Sequence, residues 1–430
     1  MKLLLITTAF PPVGGSHVQR VLNLANYLTK FGHQVSVIGY KPGENYPNKD
    51  YSNVKEIDSN IIIKYVKEGI LHRNLRGKSS EKKDEATGKS LLKSVKLYIK
   101  KIGNSRKKIF LIPDTQIDWF YEVKKMEKKE EFVKKYNPDV IISCSMPNTS
   151  HIVGYWLAKK YNKPLVMDYG DPWSFEISVK RNFLRKKYEM NLEKRILKYS
   201  SLAFFATKET KNLYCNFFPN LADKFHVFMM GYAPSNLDIV HEPTDEKLTM
   251  IYGGMLNPIH RNPAPFLSAV SKFENVDVLI RSTLTNDWFI EFKETINKNQ
   301  LANTRFEGLV DFTTFMKELM SKDILILFGN SSPTQIAGKV FNYISTGKHI
   351  LYIKNFSEDV YDPVEEILKE YNNVTVTNNE VTEIAKSISV LIDLKNRGKL
   401  VTKVNKDMEK YTWEKQIEHF SAKLNETFHI

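Results

Sequence analysis

The segment 323–351 (DILILFGNSSPTQIAGKVFNYISTGKHIL) constrains the fold more than any other part of the chain. Residues 324–328 form an unbroken apolar run, which is typical of a parallel strand buried on both faces. Polar loop residues follow, and from Gly338 onward apolar side chains recur at helical spacing. Gly347 predicts the end of this helix, and 349–353 predicts a second strand. The segment therefore predicts strand, loop, helix and strand, the repeating unit of an α/β fold.

The loop before the predicted helix is a candidate ligand site. In α/β sheets, ligands bind where loops leave the carboxyl ends of parallel strands. Free amides at a helix start favour an anion, and Lys339 adds a positive charge one residue into the helix. We therefore predict a diphosphate near Gly338 and Lys339. The alternative is an ordinary crossover helix whose lysine faces solvent.

The same alternation of strands and helices runs through both halves of the chain. Residues 2–7 predict the first strand, the loop that follows contains Gly14 and Gly15, and an amphipathic helix leads to a strand at 33–40. The glycine pair either makes a tight turn or lets the backbone approach a ligand closely. With 430 residues, two domains are expected. The predicted boundaries are 1–230, 245–405 and a C-terminal helix at 406–430 that packs back on the first domain.

Composition limits the functional class. The chain has 63 Lys and Arg residues against 49 Asp and Glu residues, a net charge of +14 that suggests an anionic partner. Cys144 and Cys215 are the only cysteines, which excludes a disulfide framework and cysteine-based metal sites and fits a reducing cytoplasm. The N-terminal apolar run is too short to span a membrane and has no cleavage site, so we interpret it as a strand.

Two basic segments suggest contact with an anionic membrane surface. Residues 72–108 carry thirteen Lys and Arg residues against three acids, and 90–102 predict a helix with apolar residues on one face. The lysines of that helix, Lys93, Lys96, Lys100 and Lys101, lie off the apolar face. Residues 180–198 carry eight further Lys and Arg residues against two acids. The alternative is a helix that packs its apolar face on its own domain.

Several blocks of the sequence resemble one enzyme family. FPPVGGSHVQRVLNLANYLTKFGHQVSVI resembles the first βαβ unit of bacterial glycosyltransferases with the GT-B fold, of the retaining type that builds capsules, lipopolysaccharide and teichoic acids. IPDTQIDW, PDVIISCSMPNTSHIVGYWLAKKYNKPLVMDYGDPW, IYGGMLNPIHRNP and KVFNYISTGKHIL resemble later blocks, in the family's order. Residues 43–110 and 356–405 resemble nothing specific.

The resemblance implies two Rossmann-like, doubly wound domains facing across a cleft, with a C-terminal helix crossing back. It implies a nucleotide-diphosphate sugar, with a UDP-sugar favoured, in the second domain and a glycan or lipid-linked acceptor in the first. No cofactor or metal is expected. The implied donor-binding residues are Gly14, Gly15, Gly254, Arg261, Leu309, Val310, Gly338, Lys339 and Asn342, and the implied catalytic residues are Asp171, His151, Arg261 and Lys339. The implied location is cytoplasmic, on the inner face of the membrane.

The sequence departs from the family at one pair of positions. Many relatives have two carboxylates eight residues apart, of which the second binds the ribose, whereas this chain has Thr334 and Asn342. An amide can hydrogen-bond a hydroxyl, but a charge-assisted bond from a carboxylate is roughly twice as strong. Asn342 therefore predicts weaker donor binding or a different ribose contact.

The candidate catalytic residues each have a structural alternative. Arg261 and Lys339 would stabilise the departing nucleoside diphosphate, and the alternative is that they are surface residues. Asp171 is the best-placed carboxylate, but Asp before Pro172 could also cap a helix. His151 could instead be a cap or a core residue, and Trp173 could be a sugar platform or core.

Three functions follow in decreasing order of support. The first is a sugar transferase in cell-surface polysaccharide or glycoconjugate synthesis. The second is a catalytically degenerate GT-B subunit that binds an acceptor or a partner transferase, suggested by Thr334 and Asn342. A nucleic-acid binder is suggested by charge alone, and we do not favour it because the basic segments lack interleaved aromatic residues and known motifs.

Overall fold

The computed structural model describes residues 1–44, 46, 49–74, 111–176, 179, 181–234, 246–256, 261–284, 287–295, 303–330, 332–355 and 360–429. Most of the basic segment 72–108, including the four lysines of the predicted helix at 90–102, lies outside these residues. The chain divides into two compact units. The first comprises Met1–Met229 and Ile417–Ile430, and the second comprises Met230–Gln416.

The first unit is built on a seven-stranded parallel sheet. Its strands are β1 (Lys2–Ile6), β2 (Gln34–Lys41), β3 (Ile62–Lys67), β4 (Val140–Ser145), β5 (Leu165–Tyr169), β6 (Leu202–Phe205) and β7 (Phe225–Val227). Its helices are α1 (Ser16–Lys30), α2 (Ile117–Glu130), α3 (Phe132–Tyr136), α4 (Thr149–Tyr161), α5 (Phe183–Tyr199) and α6 (Lys208–Phe217). The strand order is β3-β2-β1-β4-β5-β6-β7, so the winding direction reverses between β1 and β4.

The residues of the central strands explain why they form the core of the first unit. The side chains of β4 and β5 are buried along their whole length, as expected for parallel strands covered on both faces. Large aromatic side chains, including Trp119 and Trp173, are also completely buried. Because each crossover helix places its apolar face against the sheet, the loops at the carboxyl ends of the strands collect at one edge.

The second unit has a six-stranded parallel sheet. Its strands are β8 (Leu248–Gly253), β9 (Val276–Arg281), β10 (Thr304–Glu307), β11 (Ile324–Phe328), β12 (His349–Lys354) and β13 (Val374–Asn378). Its helices are α7 (Ala264–Val270), α8 (Asp287–Thr295), α9 (Phe312–Met320), α10 (Lys339–Ser345), α11 (Pro363–Leu368) and α12 (Val381–Asn396). The order β10-β9-β8-β11-β12-β13 reverses between β8 and β11. The predicted architecture of two doubly wound α/β domains is confirmed.

The last helix is α13 (Trp413–Phe428), and from Ile417 onward it belongs to the first unit. The ring of Phe420 stacks on Phe204 with centroids 4.0 Å apart, and it contacts Phe228 at 5.1 Å. Ser421 lies 2.9 Å from the Nε2 atom of His33. Within the described residues, no helix is both long enough and apolar enough to cross a membrane.

Candidate functional site

The sheet of the second unit brings two loops together at the point where its winding reverses. β8 and β11 are neighbours, with Ile324 paired to Met250, and both strands run in the same direction. The loop that begins at Gly254 and the loop that begins at Gly329 therefore leave the same edge. This edge of a doubly wound sheet is where ligands bind.

Lys339 reaches from the start of α10 to the end of β8. Its ammonium donates to the carbonyl oxygen of Gly253 at 2.7 Å and to the hydroxyl of Tyr252 at 3.1 Å. The same nitrogen lies 4.3 Å from the centre of the Tyr252 ring. The lysine is thus held inside the loop cluster, and the alternative of a solvent-facing lysine on a crossover helix is wrong.

Gly254 has no room for a side chain. Its φ of 141° is a conformation that favours glycine, and a Cβ atom there would lie 2.1 Å from the Nζ atom of Lys339. At Gly253 the backbone conformation does not require glycine, but a Cβ atom there would lie 2.1 Å from the end of the Phe315 ring. The missing side chain of Gly254 therefore lets the lysine approach the backbone at the end of β8.

Arg261 lies in the same cluster. Its guanidinium donates through Nη2 and Nε to the side-chain oxygen of Asn330, at 2.8 and 3.2 Å. Asn330 in turn donates to the carbonyl of Gln335 at 3.0 Å, which ties the arginine to the loop before α10. The structure therefore brings Gly254 and Arg261 together with Lys339, which lies far from both in the sequence.

The two cations act on each other. Desolvation, and after it the charge of Arg261, hold the pKa of Lys339 well below its usual range. Burial raises the pKa of Tyr252 to about 12, so its hydroxyl stays protonated at neutral pH. A bound anion would relieve the repulsion between the two cations and favour the charged lysine. The cluster has the electrostatics expected of an anion site.

The other predicted donor-binding residues of the second unit have varied surroundings. Gly338 precedes α10, and among the described residues a Cβ atom there would meet only Met230, at an ordinary distance of 3.5 Å, so no close contact requires glycine. Asn342 is half-buried on α10, and Thr334 lies in the preceding loop, where its hydroxyl is 2.8 Å from that of Ser332. Leu309 is 60 % exposed in the loop between β10 and α9, next to the half-buried Val310.

In the first unit, Gly14 and Gly15 lie in the loop that leads from β1 to α1. Gly15 has a φ of 120°, and no atom of the described residues lies within 4 Å of the position of a Cβ atom. Its carbonyl accepts from the amide of Val18 at 3.1 Å, so it begins the helix without a side-chain cap. Gly15 is therefore needed for its backbone conformation, and the space beside it is open.

Asp171 pairs with a histidine that the sequence analysis did not select. The Nε2 atom of His17 lies 3.4 Å from the Oδ2 atom of Asp171, and both side chains are partly exposed. A Cβ atom on Gly170 would lie 2.6 Å from the His17 ring, so this glycine makes room for the pair. No helix forms over Pro172–Glu176 among the described residues, so Asp171 does not cap one there.

His151 is completely buried in α4. Its Nδ1 atom lies 2.8 Å from the hydroxyl of Ser143, and its ring packs 4.5 Å from that of Tyr169. Burial lowers the pKa of His151 to about 3, so the imidazole is neutral at physiological pH. Its Nε2 atom has no partner within the described structure. Trp173 stacks beside it and is fully buried, so this ring belongs to the core.

A buried ion pair lies near these residues and was missed by sequence reasoning. Arg20 donates through Nη2 and Nε to Asp168 at 2.6 and 3.0 Å, and both side chains are inaccessible to solvent. Nη2 also donates to the carbonyl of Phe228 at 2.7 Å. Nothing in a single sequence links residues 20 and 168. Sequence reasoning also missed Tyr252 and Asn330 in the second unit. Their positions at the ends of predicted strands could have identified them as site residues.

Among the described residues, no group of three or more His, Cys, Asp and Glu side chains could hold a metal ion. The absence of a metal requirement stays a prediction.

Comparison with known proteins identifies the fold. No protein-family model matches this sequence, and no curated protein matches it significantly. Solved structures match over almost the whole chain. Anabaena Alr3699/HepE in complex with UDP and glucose has a TM-score of 0.63 at 12 % identity, covering 99 % of this chain and all of that one.

Two further solved structures, from proteins with different names, are similar to this chain. S. aureus TarM, as a mutant in complex with fondaparinux, alpha-GlcNAc-glycerol and UDP, has a TM-score of 0.62 at 11 % identity, with both chains fully covered. A putative UDP-N-acetylglucosamine 2-epimerase from Listeria monocytogenes has a TM-score of 0.53 at 12 % identity, covering all of this chain and 96 % of that one. This chain has the GT-B fold. At these identities the likeness does not by itself decide the reaction.

Proposed function

We propose that this protein is a glycosyltransferase that moves a sugar from a nucleotide-diphosphate sugar to a glycan or lipid-linked acceptor. The observation that carries the proposal is the pair of cations, Lys339 and Arg261, at the winding reversal of the second sheet. They lie beside Gly254, whose φ of 141° favours glycine and whose backbone the lysine approaches closely. A diphosphate is the ligand that this combination of charge and accessible backbone fits best.

The proposed chemistry is departure of a nucleoside diphosphate. Negative charge grows on the leaving phosphate in the transition state, and fixed cations stabilise it more than they stabilise the ground state. Lys339 supplies a compact charge, and Arg261 supplies a planar group that can bind two phosphate oxygens. Tyr252 and Asn330, which hold these side chains, position them for this role.

The remaining residues of the second unit complete the proposed donor site. Asn342 would hydrogen-bond the ribose through its amide, and the backbone at Leu309 and Val310 would contact the base. A UDP-sugar is the favoured donor, because HepE and TarM, which have the same fold, are described in complex with UDP. We propose that transfer is retaining and independent of metal.

In the first unit, Asp171 is the proposed catalytic carboxylate, with His17 as its partner. His151 is proposed to act as a neutral hydrogen-bonding group, because its low pKa prevents it from being a general acid at neutral pH. The acceptor is proposed to bind to this unit. The proposed setting is cell-surface polysaccharide or glycoconjugate synthesis on the cytoplasmic face of the membrane.

A second candidate is a catalytically degenerate GT-B subunit. It is favoured by Thr334 and Asn342, which replace the carboxylate pair of many similar enzymes. Such a protein would bind an acceptor or a partner transferase without turning over a donor.

The test measures donor binding and donor turnover separately. At a ligand concentration of about a hundredfold Kd, binding should stabilise the chain by about 2.7 kcal/mol, which appears as a raised Tm. UDP-, GDP- and dTDP-sugars are tested with and without acceptor glycans, and nucleotide release, transfer product and epimerised donor are measured.

Each outcome separates the candidates. Release of UDP with transfer of the sugar supports the transferase. A raised Tm without turnover supports the degenerate subunit, and epimerised donor would move the protein to the epimerase class. No Tm shift with any nucleotide sugar would overturn the proposal.

A further inference from the structure

We infer that the outer face of helix α5 is a docking surface for an anionic lipid bilayer. This inference rests on the proposed action on a lipid-linked acceptor at a membrane, and it names the surface that would make the contact. We define the outer face of α5 as Phe183, Leu184, Lys187, Tyr188, Asn191, Lys194, Arg195 and Lys198, all of which are exposed.

These side chains share one side of the helix. At 3.6 residues per turn they fall within an arc of about 140°. Phe183 and Leu184 are 76 % and 75 % exposed in the first turn, and Tyr188 is 57 % exposed one turn later. Single exposed apolar residues are common, but three neighbours on the face that also carries four cations are not explained by chance exposure.

The acids of α5 do not neutralise this face. Glu189 and Glu193 are the only acids of the helix, and both are completely buried on its other side. Glu189 accepts from Arg181 at 2.6 Å and from Arg185 at 2.5 Å. Glu193 accepts from the amide of Ser174 at 3.1 Å. The outer face therefore carries four positive charges and no negative one.

The same buried contacts fix the orientation of the helix. Arg185 also donates to the carbonyl oxygens of Leu111 and Pro113, at 3.2 and 3.1 Å. Asn182 caps the helix by accepting from the amide of Arg185 at 2.8 Å. Turning the outer face inward would break buried ion pairs, which is costly. The apolar and basic side chains are thus held outward.

This combination fits the boundary region of a bilayer. Phe and Leu side chains enter the region between headgroups and acyl chains, and Tyr places its hydroxyl at the headgroups. Lys and Arg side chains remain at the surface, where each adds attraction to anionic lipids. Of the anionic surfaces a +14 chain could meet, a bilayer is the one that uses the exposed Phe183 and Leu184.

The test measures flotation of the full chain with vesicles. Vesicles of equal parts phosphatidylglycerol and phosphatidylcholine are compared with vesicles of phosphatidylcholine alone. A charge variant replaces the cations of the outer face of α5 with glutamine (K187Q, K194Q, R195Q and K198Q). Each cation lost should weaken binding about fivefold, so the variant should bind the anionic vesicles at least about a hundredfold more weakly.

Two further variants isolate the cause. F183S with L184S keeps every charge and should lower the vesicle affinity on the order of tenfold by removing apolar burial. The matched control, K386Q with K399Q, K403Q and K406Q, removes the same charge from exposed positions of the second unit and should bind like the wild type.

The outcomes distinguish this inference from the membrane part of the proposed function. If neutralising Lys93, Lys96, Lys100 and Lys101 abolishes vesicle binding while the α5 variants bind normally, the protein docks elsewhere and the inference is wrong. Equal loss in the matched control would mean that general charge is responsible, which also overturns it. Tight binding of an RNA oligonucleotide without vesicle binding would overturn it in favour of a nucleic-acid surface.

Donor binding is measured on the same samples by the shift in Tm. All α5 variants should keep it, because the helix belongs to the first unit and the donor site is proposed in the second. Absence of donor binding in the wild type would sink the proposed function, whatever the vesicles show.

Discussion

The two units place cations near the carboxyl ends of their strands but surround them differently. In the first unit, Arg20 is sealed from solvent and hydrogen-bonded to Asp168. In the second unit, Lys339 is desolvated next to another cation, Arg261, and its hydrogen bonds go to a neutral carbonyl and hydroxyl. Among the described residues, no carboxylate forms an ion pair with this lysine.

This difference in charge compensation assigns the Arg20 cluster to stability and the Lys339 cluster to ligand binding. A buried charge that is paired with an opposite charge does not require a ligand to neutralise it. We therefore assign the Arg20–Asp168 pair a role in the stability of the fold. A desolvated lysine beside an arginine is strained in the free chain and is relieved by an anion. Sites that bind charged ligands are often less stable than the fold allows, so the two clusters should respond in opposite ways to neutral substitutions.

The largest effect is expected from breaking the ion pair of the first unit. Arg20→Met leaves Asp168 buried without its partner and should cost about 3–5 kcal/mol of unfolding free energy. Calorimetry of the full chain would show that the midpoint temperature of the first unfolding transition is much lower than in the wild type. The double variant Arg20→Met with Asp168→Leu removes both charges and should recover most of that loss. An unchanged transition in the single variant would mean that the pair contributes nothing.

Removing the lysine of the second unit should affect activity and not stability. Lys339→Met keeps most of the apolar side chain and should lower the rate of sugar transfer about 10²–10³-fold, as loss of one transition-state donor does. Its Tm should be unchanged or raised, because a desolvated amine is removed. A clear fall in Tm at unchanged activity would show that Lys339 is structural.

The affinity for UDP-glucose should depend on pH through Lys339. A bound diphosphate favours the ammonium, so the pKa of Lys339 is higher in the complex than in the free chain. Between those two pKa values binding takes up a proton, and the affinity should fall as the pH rises, by up to about tenfold per unit. Titration calorimetry over a series of pH values measures this fall.

Two variants sharpen the assignment of that pH dependence. Arg261→Gln removes the neighbouring charge that lowers the pKa of Lys339, so the fall in affinity should begin at a higher pH. Lys339→Met should abolish the dependence. A fall of the same slope in Lys339→Met would assign the titration to another group.

The smallest effect is expected at Asn342. Asn342→Glu introduces the carboxylate that the family resemblance implies for the ribose contact and should tighten donor binding several-fold, since charge-assisted hydrogen bonds are about twice as strong as neutral ones. Asn342→Gln, which lengthens the side chain without adding charge, is the matched control. Abolished binding in Asn342→Glu would show that the ribose contact has diverged.

Much of the fold was predictable because its determinants are local. The apolar run 324–328 became β11 at the same residues, and the residues from Gly338 became the short helix α10. Glycines at 15 and 254 marked two loops in which the backbone has a positive φ. Alternating strands and helices then leave few topologies, because parallel crossovers have one hand.

The partners within the candidate site were not predictable in the same way. The family resemblance placed Lys339 and Gly254 at one donor site, but the hydrogen bonds of Lys339 to Tyr252 and Gly253 depend on β8 and β11 being neighbours in the sheet. His17, the partner of Asp171, gave no signal, because a lone histidine after a glycine pair has no distinctive spacing. The burial that makes His151 neutral also depends on Tyr169 and Trp173, which come from β5 and the loop after it.

The sequence by itself determined the α/β class, the expectation of two domains, and the excess of positive charge. These follow from short-range periodicity and composition, which any fold of the chain must respect. Only the tertiary structure decided which charges are compensated. It buried Arg20 against Asp168, set Lys339 beside Arg261, and turned the acids of α5 inward while the four cations of its outer face point outward. Electrostatic environment depends on distance and burial in space, and neither can be derived from the order of residues along the chain.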